Sequence, residues 1–237
     1  MNQQPHSKGA CGPRGRVGPA AAVARAGQLL AAGTARAAGG HHAVDDAALL
    51  EPGQCELEGW AIRPQGGGRT WHAGAGCRVG PVELGLAAEH ERAGGTSTTS
   101  WLPSLKWATP LGDHLSVGAS LGPVWQARAK PRYQGTAAIG LLTWSVHERL
   151  ALHLNAGRAL AHRGPDERLL GVSAEWTSPA GWSAVIERDI AGDAHHLRAG
   201  LRFAVAEQWS VDFSRVQRVS GPGASGWTFG VTRLLQR

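Results

Sequence analysis

Glu187, Asp189, Arg198, Arg202 and Asp212 gather side chains of both charge signs into one short stretch of the chain. Carboxylates and guanidinium groups held at fixed distances create a transverse field, which orders water and sorts small solutes by charge and dipole. Arg78 and Glu83, either side of Gly80-Pro81, offer a second such pair, and His153 adds a titratable ring near Asn155. Catalysis is a poorer fit, so no enzyme is expected. A lipid hydrolase would need a serine tied by position to His153 and Asn155, and no serine is so placed; a Walker loop is missing too. The pairs His41-His42 and His195-His196 lack a spaced third ligand, and no Cys/His spacing suits zinc. Neither a metal nor a cofactor is expected.

The elements that must hold these groups announce themselves by a rhythm of two. From His196 to Val205, Leu197, Ala199, Leu201, Phe203 and Val205 alternate with Arg198, Gly200 and Arg202; Trp209, Val211 and Phe213 then oppose Ser210, Asp212 and Ser214. The same parity sets Leu150, Leu152 and Leu154 against His153 and Asn155, and Leu115, Val117 and Leu121 against Ser116, Gly118 and Ser120. Period two is the period of a strand, with successive side chains on opposite faces. Hairpin arithmetic then places Arg78 opposite Glu83, Glu187 opposite Arg198, and Asp189 opposite His196. The polar face collects Glu56, Glu58, His72, Lys106, Glu175 and many glycines, which leave space and permit curvature.

A half-solvated soluble sheet would alternate too, and a lipocalin-like barrel would carry the apolar face inward. Three marks favour a lipid-facing barrel. Short connections at Gly80-Pro81, 110–113, 178–181 and 206–207 alternate with Gly-, Pro- or charge-rich ones at 64–68, 92–96, 128–133, 159–167 and 218–225, as periplasmic turns alternate with external loops. Five of the ten tryptophans, Trp107, Trp144, Trp176, Trp182 and Trp209, stand at strand ends beside the short turns, as an interfacial girdle does. About twelve segments can be counted, an even number. The expected fold is therefore all-β, a single closed antiparallel transmembrane barrel over residues 54–237, with outer-membrane lipids and the barrel-insertion machinery as partners. The segment around Pro103 fits least well, because proline cannot donate to a ladder.

The basic residues ahead of residue 41, Lys8, Arg14, Arg16, Arg25 and Arg36, have no acidic counterpart there, and the remainder is close to neutral. The net charge of +6 thus belongs to the N-terminal tail and gives no reason to expect a nucleic-acid partner. Residues 1–40, with an Ala-rich stretch and small residues at Ala35–Ala37, read as a secretory leader, and 41–53 as a periplasmic segment. If the first hairpin turns about Gly66, Cys55 and Cys77 face each other on adjacent strands, which suits a disulfide made in an oxidising compartment.

The stretch His41-His42-Ala43-Val44-Asp45-Asp46-Ala47, followed by Glu51-Pro52-Gly53-Gln54-Cys55-Glu56-Leu57-Glu58, resembles the start of the meta-pathway of phenol degradation family of bacterial outer-membrane transporters. The resemblance implies a bacterial outer-membrane channel or transporter for small molecules, apolar or aromatic compounds among them. Barrels of this kind typically end in an aromatic residue, whereas Phe229 is the last aromatic in this sequence. A structural or adhesive barrel with a plugged lumen is the rival expectation, and a soluble β-sandwich the third.

Overall fold

The computed structural model describes residues 42–236, so the expected leader lies outside the described residues. Twelve strands follow one another: β1 (Gln54–Pro64), β2 (Arg69–Val79), β3 (Val82–Ala93), β4 (Thr96–Pro110), β5 (Leu115–Gln126), β6 (Tyr133–His147), β7 (Leu150–Ala161), β8 (Glu167–Thr177), β9 (Trp182–Ala191), β10 (Ala194–Ala206), β11 (Trp209–Ser220) and β12 (Gly226–Gln236). Each pairs antiparallel with its sequence neighbour, and β12 closes on β1 with Gln54 opposite Gln236. Closure leaves no unpaired edge, the condition for a sheet to sit in hydrocarbon.

The alternation seen in the sequence becomes an inside and an outside, with the polarity of a membrane protein. Glu187 is 1% exposed while its neighbour Ile186 is 53% exposed; Thr228 and Phe229 stand at 1% and 55%. A soluble barrel would bury the isoleucine and the phenylalanine. The polar face is the one enclosed here, so the exterior suits acyl chains and the interior suits water and charge. Trp107, Trp144, Trp176 and Trp209 are exposed at the rim of the short turns, and Trp182 packs edge-on against Trp176 with ring centroids 5.1 Å apart. A second belt, not read from the sequence, lies toward the opposite rim: Trp71, Trp101, Trp125 and Trp227 are exposed there.

Two expectations need correction, while the segment around Pro103 keeps its strand. The Gly-rich stretch at 92–96 is not a long loop, because Gly94 and Gly95 take positive φ (56° and 80°) and allow a two-residue hairpin turn. Pro103 sits inside β4 after all. It pairs with Leu86 of β3, while the β4–β5 register skips from Trp101↔Trp125 to Leu105↔Leu121, so its missing N–H falls in an interrupted stretch of ladder. Residues 42–50 do not lie below the barrel as a periplasmic segment. They run inside it, with Val44 fully buried and Ala47 and Leu50 nearly so.

Candidate functional site

Extended chain without strand partners must find its hydrogen bonds elsewhere, and residues 43–50 find them on lumen side chains. Glu187, from mid-β9, accepts from the Ala43 N–H (3.1 Å) and the Val44 N–H (3.2 Å). Asn155 of β7, its carboxamide oriented by the surrounding network, accepts from the Asp45 N–H at 2.7 Å and donates to the Asp45 carbonyl at 2.8 Å. Thr143 of β6 accepts from the Ala47 N–H at 2.8 Å and lies 2.9 Å from Nδ1 of the buried His153. Glu83 of β3 accepts from the Leu50 N–H (3.1 Å) and Arg78 of β2 donates to the Leu50 carbonyl (2.9 Å).

The segment's own carboxylates complete the attachment. Lys106 of β4 reaches across with Nζ 2.8 Å from Asp45 and 2.7 Å from Asp46. Asp46 also accepts from the Ala48 N–H, an Asx turn that bends the chain toward Ala47. Space for the segment comes from glycine at one position: a Cβ on Gly171 would stand 2.6 Å from Val44 Cγ2. Gly171 therefore serves as floor under a threaded chain.

The lumen residues singled out in the sequence fall into two groups. Glu187 and Arg198 form an ion pair at 2.8 Å directly beneath Ala43 and Val44, with His42 Nδ1 3.5 Å from the same carboxylate. Arg202 pairs with Asp212, and Asp189 with His196 at 3.2 Å. Arg78 and Glu83 do stand opposite each other in the β2–β3 register, but both turn to the backbone of Leu50. Lys106, Asn155 and Thr143 complete the attachment, and Thr143 was not singled out by sequence. Trp60 also points inward and stacks on His72 with centroids 4.4 Å apart, while His72 bridges Glu58 (2.9 Å) and Glu89 (3.2 Å). Cys55 and Cys77 stand opposite in register and form a disulfide.

The segment does not fill the barrel. Between it and the wall of β1–β6 and β10–β12 a cavity of about 530 Å³ remains, its charged and polar lining including Glu56, Glu58, Glu83, Lys106, Ser120 and Arg202, with the bare backbone of Gly74, Gly76 and Gly122. Lys106 is committed to the two aspartates and Arg202 to Asp212, so the three glutamates leave the field in this space net negative. Among the described residues no group of three or more His, Cys, Asp or Glu is set to hold a metal ion.

Comparison with known proteins gives three findings. A family model described as an uncharacterised conserved protein matches residues 26–233. No curated protein matches the chain. Among solved structures, an outer-membrane channel from Pseudomonas putida F1 superposes with a TM-score of 0.62 at 7% identity, over 80% of this chain and 98% of its own. The KdgM porin gives 0.57 at 9% identity over 76% and 98%, and the Ralstonia pickettii toluene transporter TbuX gives 0.51 at 9% over 81% and 92%. At such identities the likeness is one of fold.

Proposed function

The chain belongs to this family of uncharacterised conserved proteins, and we propose that it is an outer-membrane channel for small solutes whose lumen is narrowed by its own residues 42–50. The observation that carries the reading is the 530 Å³ cavity, lined by charged and apolar groups together, left beside the segment inside a closed barrel with an apolar exterior. A barrel built only as a wall or an adhesin has no use for an enclosed, charged, partly vacant interior. Glu56, Glu58 and Glu83 line that space, so the passage favours small polar solutes of positive charge. Ion pairs Glu187–Arg198 and Arg202–Asp212, with Asp189 close by, form the constriction in this reading, Glu187 also holding Ala43 and Val44 there.

The short turns face the periplasm in this reading, as in other outer-membrane barrels, so residue 42 reaches mid-lumen from the periplasmic mouth. Planar bilayer recordings test the proposal: the full chain should conduct with a small, cation-preferring conductance, and a variant lacking residues 42–50 should conduct several-fold more. One observation favours a second reading, a permanently plugged structural barrel. The peptide groups of residues 43–45, 47 and 50 are all bonded to lumen side chains. Absence of conductance in the full chain, together with solute flux in the deletion variant, would put that reading in front.

A further inference from the structure

The outer wall carries an asymmetry that conduction does not use. Arg63, Arg69, Arg92, Arg158, Arg168, Arg188 and Arg215 lie on the outward face of β1, β2, β3, β7, β8, β9 and β11, all on the half of the barrel away from the short turns. Each shares strand parity with a lipid-facing apolar residue; Arg188 follows Ile186, Arg69 precedes Trp71, and Arg215 follows Phe213. No Asp or Glu of the described strands shares that face. On the other half, Arg233 is the only outward basic residue of the described strands, lying 5.1 Å from the Trp209 ring.

The placement of these arginines works against the barrel when it stands alone. Arg69 is directly opposite Arg92, and Arg158 directly opposite Arg168. Like charges directly opposed on one sheet face repel and cost stability. None of the seven has an ion-pair partner among the described residues. An anion between two such guanidinium forks turns repulsion into paired, charge-assisted hydrogen bonds, and phosphate suits the fork geometry best. The arginines stand at or above the level of the second tryptophan belt, which is headgroup level.

A crevice of about 520 Å³ continues from this level down the apolar wall. Ala174, Ala184 and Ala199 form its floor, Arg215 and Trp227 close it at the external end, and Trp176 at the other. Arg215 lies 5.0 Å over the Trp227 ring, its guanidinium held at the crevice mouth. Small residues flanked by large ones make a slot for an acyl chain beneath a cation.

We propose that this half of the outer wall binds a phosphate-bearing, multiply acylated lipid of the external leaflet, with phosphates on the arginine pairs and an acyl chain in the alanine-floored crevice. The inference rests on the outer-membrane orientation given above, but not on conduction. Native mass spectrometry of the full chain in a zwitterionic detergent tests it, with diphosphoryl lipid A and the same lipid after enzymatic dephosphorylation as probes. The phosphorylated lipid should bind at least tenfold more tightly, and inorganic phosphate at millimolar concentration should not displace it, because the acyl chains remain in the crevice. At about fivefold per arginine, the pair R158Q/R168Q should lose on the order of twentyfold, while Arg233→Gln should lose nothing. Equal binding of both lipids, displacement by free phosphate, or equal losses in R158Q/R168Q and Arg233→Gln would overturn the proposal. The comparison of two lipids on the unaltered chain stands even where the double variant does not fold. Lipid binding without conductance would sink the channel reading alone, and conductance without phosphate-dependent binding would sink this one alone.

Discussion

Replacing Lys106 by methionine should loosen the lumenal segment by about two orders of magnitude while leaving the barrel closed. The ammonium holds Asp45 at 2.8 Å and Asp46 at 2.7 Å. The Asp46 side chain is 9% exposed, so its charge-assisted bond is worth about 2 kcal/mol. That of Asp45 is 41% exposed and screened, so its share is discounted to about 0.5–1 kcal/mol. Losing both contributions, close to 3 kcal/mol, corresponds to roughly a hundredfold shift in the occupied-to-vacated ratio of the lumen. Methionine keeps the length of the side chain, so β4 retains its packing. In planar bilayers the variant should spend roughly a hundredfold more time in a high-conductance state, and Asp46→Asn in the same background should add little, since the pair is already broken. The control is the variant lacking residues 42–50, in which Lys106→Met should not lengthen the high-conductance state. An unchanged open time in an otherwise folded Lys106→Met barrel, or an equal effect in the deletion variant, would show that Lys106 does not hold the segment.

Gly171→Leu should have the same outcome by steric means, because a Cβ there already meets Val44 at 2.6 Å; raised conductance with unchanged heat-modifiable gel mobility is the check. Leu154→Arg, on the lipid face at 50% exposure, should cost about 2–4 kcal/mol in liposome unfolding titrations. Ser120→Arg, on the lumen cavity, should cost far less, and equal losses would refute the assigned faces. Arg202→Ala should shift reversal potentials further toward cations by freeing Asp212. In non-reduced folded protein Cys55 and Cys77 should resist alkylation; their replacement by serine should lower stability by less than the roughly 3 kcal/mol of a comparable free loop, since the β1–β2 ladder already constrains the ends.

The strands were legible because a barrel in lipid forces one answer at every residue: apolar out, polar or glycine in. That constraint writes itself into Leu197 through Val205 and into Trp209 through Ser214, and hairpin symmetry then fixes Glu187 opposite Arg198 without any knowledge of distance. Local turn chemistry was less legible. Gly94-Gly95 reads as loop by composition, yet two glycines at positive φ make the shortest of hairpins. The second tryptophan belt was missed because Trp71, Trp101, Trp125 and Trp227 neighbour connections that look irregular in sequence, so only the belt beside the short turns stood out.

Residues 42–50 were illegible for a different physical reason. They obey no period, since their partners are side chains scattered over β2, β3, β4, β6, β7 and β9 rather than a neighbouring backbone. What the sequence did carry was a surplus on the other side of the contact. Asn155 faces Leu141 and Gly171 across its two ladders, and neither neighbour can satisfy a buried carboxamide. Lys106 has one carboxylate neighbour, Glu83, which turns to Leu50 instead. Buried polar groups must be satisfied, so an inward residue whose cross-strand neighbours offer no partner requires a third body in the lumen. Of the segments outside the strands, 42–50 is the one that carries two aspartates for the lysine and exposed peptide groups for the asparagine. Applied before any coordinates, that accounting would have moved this segment from the periplasm into the barrel.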